Sequence, residues 1–230
     1  MSKIAIMGAM PEEIEPLLEK LENINKVEYA NNTYYEATYK GKDLVIAYSK
    51  IGKVFSSLTA STLLEKFACD KLLFSGVAGA INPALKIGDL IIADKLCQHD
   101  LDISIFGHDF GYVPEGAKFV ETDKALREIA KEVAKENNLS LIEGTIATGD
   151  QFVASNERKG FISKNFQADA IEMEGASVAV VCDALKVPFF VLRAISDTAN
   201  DDAGMDFDEF MVGSAKISAN FILDMVEKID

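Results

Sequence analysis

The stretch Ala170-Ile171-Glu172-Met173-Glu174-Gly175 joins the end of an apolar strand directly to the start of a helix. Apolar residues flank its two glutamates, so we expect at least one of the carboxylates to be nearly buried. A buried carboxylate is costly unless something binds it. In open α/β sheets, ligands bind beyond the carboxyl ends of the strands. This junction therefore predicts both an α/β fold and a binding site.

The same alternation of strand and helix continues outward along the whole chain. We predict further strands at Ile4–Met7, Thr33–Tyr39, Leu44–Tyr48, Leu72–Val77, Leu90–Ala93, Thr145–Thr148 and Pro188–Ile195. We predict helices at Pro11–Leu21, Val54–Phe67, Thr122–Asn137, Ala154–Asn165, Glu174–Leu185 and Phe207–Lys228, with Leu58, Leu63, Leu64 and Phe67 on the apolar side of the second. This order predicts a three-layer α/β fold with a mixed central sheet, formed by one domain over residues 1–230.

Composition indicates which partners and which cellular compartment to expect. The 230 residues include 37 acidic and 23 basic side chains, giving a formal charge of −14, which argues against a nucleic-acid partner. The N-terminal residues form a short strand pattern rather than a signal peptide, and no apolar run is long enough for a membrane span. Three widely spaced cysteines suit a reducing environment. We expect a cytoplasmic protein that has no membrane partner.

Acidic residues follow two other predicted strands. Glu13 lies in the first turn of the helix after Ile4–Met7, and Asp197 follows the strand that ends at Ile195. Each has a simpler explanation, because acids are favoured at helix N-termini and aspartate is common in turns. Together with Glu174, however, they form the set that N-glycosidic hydrolysis requires. One acid protonates the leaving base, another activates water, and a third accepts hydrogen bonds from the sugar hydroxyls.

A glycine-containing turn, Gly76-Val77-Ala78-Gly79, follows another strand. Small residues let main-chain amides approach a ligand closely, although a tight turn alone would explain the motif equally well. The spacing differs from the dinucleotide-binding fingerprint, which argues against an NAD-dependent oxidoreductase. Only two histidines are present, and neither lies in a metal-binding motif. The sequence therefore predicts neither a metal site nor a cofactor.

Seven motifs together resemble the bacterial 5'-methylthioadenosine/S-adenosylhomocysteine nucleosidases of the purine nucleoside phosphorylase superfamily. They are Gly8-Ala9-Met10-Pro11-Glu12-Glu13, Ser49-Lys50-Ile51-Gly52-Lys53-Val54, Gly76-Val77-Ala78-Gly79, Gly149-Asp150-Gln151-Phe152, Glu172-Met173-Glu174-Gly175, Arg193-Ala194-Ile195-Ser196-Asp197 and Phe207-Asp208-Glu209-Phe210. The resemblance runs from Lys3 to the final helix. It implies hydrolysis of 5'-substituted adenosines, with release of adenine.

The resemblance also implies a role for each charged residue. Glu13 would be the general base that activates water, and Asp197 the acid that protonates adenine N7. Glu174 would bind the ribose hydroxyls beside the main chain of Met173, and Arg193 would help to order the water and the acidic cluster. The resemblance also places four further residues in the substrate-binding set: Val77, Ala78, Gly79 and Ser196.

Apolar residues complete the implied site. Phe152 resembles the residue that stacks on adenine, and Val153 the one that bonds the edge of adenine through its main chain. The residues expected to line a pocket for the 5'-substituent are Met10, Ile51, Ile103 and Phe207. Phe106 and Pro114, in the long loop 99–114, resemble residues donated to the neighbouring site across a homodimer. Plain core packing is the alternative for each of these apolar residues.

Two departures from the family pattern bear on substrate choice. Val77 stands where many relatives have a serine, so water positioning would depend more on Glu13 and Arg193. His108 stands where an aromatic residue is common, and a polar side chain there is compatible with 6-amino-6-deoxyfutalosine, a substrate of some members. The alternatives are a phosphate-dependent purine nucleoside phosphorylase and a non-catalytic nucleoside-binding protein of the same fold.

Overall fold

A computed structural model describes residues 2–200 and 203–229. Its strands are β1 (Lys3–Gly8), β2 (Glu22–Tyr29), β3 (Asn32–Tyr39), β4 (Lys42–Tyr48), β5 (Lys71–Ala80), β6 (Leu90–Gln98), β7 (Val120–Glu121), β8 (Leu141–Thr148), β9 (Ala170–Glu172) and β10 (Phe189–Asp197). Its α-helices are α1 (Pro11–Leu18), α2 (Lys53–Ser61), α3 (Lys124–Glu136), α4 (Asn156–Phe166), α5 (Gly175–Leu185) and α6 (Ala203–Lys228).

All these strands belong to one mixed sheet. The central strands β4, β1, β5 and β10 are parallel neighbours, and β2 and β3 extend the sheet beyond β4 in an antiparallel manner. On the other side of β5 the sheet closes on itself, because β10 pairs with β6, β6 with β8, β8 with β9, and β9 with β5. The predicted mixed α/β fold is confirmed, whereas the closed ring was not predicted.

Helices cover both faces of the sheet and bury two large apolar clusters. On one face, α1, α3 and α6 contribute side chains such as Leu17, Val133 and Ile222, all of which are inaccessible to solvent. On the other face, α2 and α5 contribute Ala60 and Val178. Both layers hold the sheet rigid at the strand ends where the acidic motifs lie. No helix in the described ranges has the length and apolar character needed to cross a membrane.

The second predicted helix differs from the structure. Instead of continuing to Phe67, α2 ends at Ser61 and is followed by a π-helical turn over Thr62–Lys66, in which the Phe67 amide donates to the Thr62 carbonyl. Leu58 and Leu63 are five residues apart, which is about 140° around a regular α-helix, and Leu63 is buried whereas Leu58 remains 47% exposed. The prediction that Leu58 shares the core-facing side was wrong, because this spacing does not match the 3.6-residue period.

Two boundaries also differ. Helix α1 ends at Leu18 rather than Leu21, and the next residues enter β2, a strand that the sequence did not predict. Most side chains of β2 are exposed, so it lacks the apolar alternation by which a strand is recognised. Its hydrogen bonds to β3, in register from Tyr29 opposite Asn32, hold it in the sheet instead.

Candidate active site

A cavity of about 300 Å³ opens at the carboxyl ends of β1, β5 and β10. Strand β9 reaches the same place from the other direction, since Ile171 lies opposite Gly79 of β5. The lining contains four acidic side chains and the small residues of β5, together with several apolar groups: Ala9, Met10, Glu13, Ile51, Val77, Ala78, Gly79, Gln151, Phe152, Val153, Ile171, Glu172, Met173, Glu174, Ser196, Asp197 and Phe207.

Glu13 is fixed by main-chain amides at the start of α1. Its Oε2 accepts hydrogen bonds from the amides of Ala9 and Met10, and its Oε1 accepts one from the Val77 amide at 3.0 Å. The side chain is only 3% exposed. Burial raises the pKa of Glu13, and the charge of Arg193 and the three amides only partly offset this effect. A raised pKa makes the carboxylate a better proton acceptor near neutral pH.

The glycines of β5 make room for two of the carboxylates. A Cβ atom on Gly76 would lie 2.6 Å from Glu13 Oε1, and a Cβ atom on Gly79 would lie 2.6 Å from Asp197 Oδ1. A residue larger than glycine at position 76 would displace the Glu13 carboxylate, and one at position 79 would displace the Asp197 carboxylate. The motif was interpreted as allowing a ligand to approach the main chain, but in the structure these two glycines accommodate acidic side chains of the protein itself.

Asp197 ends β10 and is 4% exposed. The Ala199 amide donates to its Oδ1 at 2.9 Å, and the Ser196 hydroxyl donates to its Oδ2 at 3.0 Å. Burial raises the pKa of Asp197, although both of these hydrogen bonds and the charge of Lys159 oppose the shift. A carboxyl group in such an environment retains its proton to higher pH, as a general acid requires.

Glu174 occupies the N-cap position of α5, where its side chain makes no capping hydrogen bond, and it contacts the residue before α2. The Gly52 amide, immediately before α2, donates to Glu174 Oε1 at 2.7 Å. Burial and the neighbouring Glu172 carboxylate raise the pKa of Glu174, and the Gly52 amide, together with the charge of Arg193, counteracts them. Among the described residues, no hydrogen bond to Oε2 is found, so this atom is available to a ligand.

Arg193 lies beside the cavity rather than in its lining. Its guanidinium donates to Glu172 Oε2 at 2.7 Å and stacks over the Phe74 ring at 4.0 Å, and it also donates to the carbonyls of Phe74 and Leu192. Glu172 in turn accepts hydrogen bonds from Thr148 and from the first amides of the α5 junction. The motif analysis gave Glu172 no role, and the structure makes it the counter-ion of Arg193.

Aromatic rings close the opposite side of the cavity. Phe152 and Phe207 meet edge to face with their centroids 5.6 Å apart, and Val153 lines the same cavity. Met10 and Ile51 also belong to the lining. The cavity therefore combines aromatic and apolar groups with the acidic side chains.

Three predicted residues lie elsewhere in this chain. Ile103, Phe106 and Pro114 are absent from the cavity lining of the described chain, and Phe106 is 76% exposed in a short 3₁₀ turn, Ser104–Phe106. The structure therefore does not place Ile103 in the same cavity as Ile51. All three residues belong to the loop 99–114, of which no described residue lines the cavity of its own chain.

Comparison with known proteins agrees with this geometry. A family model, "Phosphorylase superfamily", matches residues 3–227. The chain belongs to the phosphorylase superfamily. An aminodeoxyfutalosine nucleosidase of Campylobacter jejuni is 61% identical over 229 residues, covering 100% of both chains. A 5'-methylthioadenosine/S-adenosylhomocysteine nucleosidase of Bacillus licheniformis is 37% identical, covering 99% of this chain and 100% of that one.

Solved structures extend the similarity to three dimensions. A Helicobacter pylori 5'-methylthioadenosine/S-adenosyl homocysteine nucleosidase, complexed with a pyrrolo-pyrimidine derivative of pyrrolidin-3-ol, superimposes with a TM-score of 0.97. It is 49% identical and covers 99% of each chain. These relatives place the chain among the nucleosidases of the phosphorylase superfamily, which confirms the resemblance that the motifs predict.

Proposed function

We propose that this phosphorylase-superfamily member hydrolyses the N-glycosidic bond of 5'-substituted adenosines and releases adenine and the 5'-substituted ribose. The observation that carries the proposal is the charge of the cavity. Four carboxylates, those of Glu13, Glu172, Glu174 and Asp197, line it, and none of the described lining residues has a cationic side chain. Glycosidic cleavage develops positive charge on the sugar, which such a cavity stabilises.

The same charge favours water over phosphate as the nucleophile. A phosphate dianion would find no cationic side chain among the described lining residues and would be repelled by Glu13, which must be ionised to act as the base. The nearby guanidinium of Arg193 is already paired with Glu172 and capped by two carbonyls, so it is not free to bind phosphate. This arrangement supports a hydrolase rather than a phosphorylase.

Three of the acidic side chains have separate roles in the proposed reaction. Glu13 has three of its acceptor positions filled by amides, which leaves it one for a water molecule whose proton it removes. Asp197, with its raised pKa, delivers a proton to N7 of the departing adenine. Glu174 accepts the ribose hydroxyls, and two hydroxyl donors would favour its ionised form. Arg193 acts through Glu172 and Glu13 as a positioning residue.

The adenine and the 5'-substituent occupy the apolar side of the cavity. Phe152 stacks on the base, the main chain of Val153 bonds its edge, and Phe207, Met10 and Ile51 surround the substituent. 5'-Methylthioadenosine, S-adenosylhomocysteine, 5'-deoxyadenosine and 6-amino-6-deoxyfutalosine all share the required adenosine-like core. The 61% identical aminodeoxyfutalosine nucleosidase supports the last of these as a substrate. His108, which stacks on Tyr112 at 4.3 Å, lies on the loop proposed to reach the neighbouring tail pocket.

A homodimer would complete that pocket. Apolar side chains remain exposed on α2, just before it, and on the loop 99–114: Ile51, Val54, Phe55, Leu58, Ile105 and Phe106. Soluble monomers rarely expose such a group of large apolar residues. A second copy that covers α2 would bury these residues and bring Phe106 and Pro114 to the neighbouring site. The three buried free cysteines suit a reducing cytoplasm.

A substrate panel tests the proposal. Adenine release from the four nucleosides would be measured with and without added phosphate, in buffer freed of contaminating phosphate. We expect equal rates in both conditions and free 5'-substituted ribose as the product. Release that required phosphate would identify a phosphorylase. Binding without any release would identify a nucleoside-binding protein.

A further inference from the structure

An ion-pair cluster lies outside the cavity, at the point where three chain segments meet. Lys53 Nζ, in the first residue of α2, donates to Asp100 Oδ1 at 2.7 Å. The other carboxylate oxygen of Asp100 accepts the Asp150 amide at 2.8 Å. Asp150 Oδ1 then accepts the Lys53 amide at 2.8 Å, which closes a ring of three hydrogen bonds. Both members of the ion pair are mostly buried, with their side chains 19% and 23% exposed.

Two of the three segments of this ring lead directly to parts of the cavity. Gly52 precedes Lys53 and donates its amide to Glu174, the proposed ribose ligand. Asp150 is two residues from Phe152, the proposed adenine platform. Gly52 has a φ of +99°, and a Cβ atom there would lie 2.9 Å from Asp150 Oδ1. The close approach of the two segments therefore depends on a glycine and on the cluster together.

We propose that Lys53, Asp100 and Asp150 form a positioning cluster that holds the ribose carboxylate and the base platform in a fixed mutual arrangement. None of the three lines the cavity, so they act through Gly52 and the segment 149–153. The proposal rests on the hydrolysis of adenosine-like nucleosides proposed above, because that reaction defines the ribose and adenine subsites. It assigns a function to Lys53 and Asp150, which the motifs contain but do not explain, and to Asp100, which lies outside the motifs.

The cluster has an electrostatic consequence. Glu174 faces the carboxylates of Glu172 and Glu13, the guanidinium of Arg193 and the Gly52 amide. If Lys53 lost its ammonium group, the ion pair between the start of α2 and Asp100 would be lost, and the Gly52 amide would be held less firmly against Glu174. One fewer donor would raise the pKa of Glu174 further, so a larger fraction would be protonated and unable to accept ribose hydroxyls. The acidic limb of the pH–activity profile would therefore move to higher pH.

The test compares wild type with Lys53→Met, Asp100→Asn, the double variant and the conservative Lys53→Arg. Lys131→Met, which removes an exposed ammonium paired with Glu143, is the matched control. We expect Lys53→Met to lower kcat/KM by about tenfold to a hundredfold, since misplacement of about 1 Å has that effect. The acidic limb of the pH profile should move up by about one pH unit, the effect of one hydrogen bond to a charged group.

Several results would support the positioning role. Lys53→Arg should keep most of the wild-type kcat/KM and most of the wild-type pH profile. The double variant should lose no more kcat/KM than either single variant, and Lys131→Met should match wild type. A loss of kcat/KM with an unmoved acidic limb and a proportionate fall in Tm would overturn the proposal, because the cluster would then contribute only stability. Fully additive losses in the double variant would overturn it as well.

A second readout does not depend on activity. Amide hydrogen exchange should accelerate in both segments, 50–53 and 149–153, in Lys53→Met and in neither segment in Lys131→Met. Unchanged exchange in 149–153 would refute the coupling of the two subsites. If wild type released no adenine from any nucleoside, the proposed function would fail, and the exchange measurement would still decide whether the cluster holds the two segments.

Discussion

Replacing Gly76 with alanine is expected to disable Glu13 without altering any substrate-binding side chain. The added Cβ would lie 2.6 Å from Glu13 Oε1, 3.1 Å from its carboxyl carbon and 3.3 Å from Arg193 Nη1. Gly76 lies in β5, where it pairs with Arg193 of β10 and its amide donates to the Ser218 hydroxyl at 3.2 Å. The backbone cannot easily retreat, so the carboxylate must move.

The size of the movement follows from these distances. Non-bonded heavy atoms attract best at about 3.5–4.0 Å, so Oε1 must shift by about 1 Å. That shift breaks its hydrogen bond from the Val77 amide, now 3.0 Å long, and moves the proposed water site by a similar amount. A 1 Å misplacement of reacting groups costs about a hundredfold in rate. We therefore expect kcat to fall about a hundredfold while KM changes little.

Steady-state kinetics of adenine release measure both parameters. Gly213→Ala is the matched control, because a Cβ atom there has nothing within 4 Å and the residue lies in α6. It should retain wild-type kinetics and gain up to about 1 kcal/mol of helix stability. Thermal unfolding shows whether Gly76→Ala remains folded. A folded Gly76→Ala variant that kept more than a tenth of the wild-type kcat would refute the assignment of Glu13 as the base held by β5.

Three further substitutions test the carboxylates directly. Asp197→Asn should lower kcat by about 10²–10⁴, the usual contribution of a general acid, and a loss smaller than tenfold in single-turnover assays would contradict its role. Glu13→Gln should abolish hydrolysis but leave tight nucleoside-analogue binding intact by calorimetry; loss of that binding would instead indicate a structural role. Glu174→Gln should raise Tm at about pH 8 but not at about pH 4. Burial raises the folded-state pKa of Glu174 above the ordinary value of 4.5, so the free energy of unfolding falls as pH rises above 4.5. The glutamine side chain does not titrate, so the variant avoids this loss of stability. An equal change in Tm at both pH values would contradict this linkage.

The acidic residues could be predicted from the sequence because their positions follow from topology. Glu13 lies in the helix turn after β1 and Asp197 ends β10, and the carboxyl ends of these parallel strands meet at one edge of the sheet. Glu174 reaches the same place after β9, which runs antiparallel to β5. The structure brings all three to one cavity. Their individual roles needed the family resemblance as well, since helix capping or a turn explains each acid separately.

Other parts of the site could not be predicted because no local pattern encodes them. The Gly52 amide bonds a carboxylate 122 positions away, and its partner is set by the packing of α2 against α5. Glu172 looked equivalent to Glu174, yet only the fold decides that Glu172 turns toward Arg193. The π-helical turn after Ser61 likewise depends on tertiary packing rather than on residue preference.

The way in which the carboxylates are fixed explains how one fold can exclude phosphate. Main-chain amides hold them: three bind Glu13, one binds Asp197 and one binds Glu174. Amides orient an acidic side chain through dipoles and bring no cationic side chain to the site, whereas a lysine or arginine partner would add a positive charge that phosphate could bind. The buried guanidinium of Arg193 is consumed by Glu172, the lining acid given no direct part in the chemistry. The described lining therefore offers acidic oxygens to a cationic sugar and no cation to an anionic nucleophile. A cation introduced into the lining would weaken both effects together, which makes hydrolysis a property of the whole acidic cavity rather than of Glu13 alone.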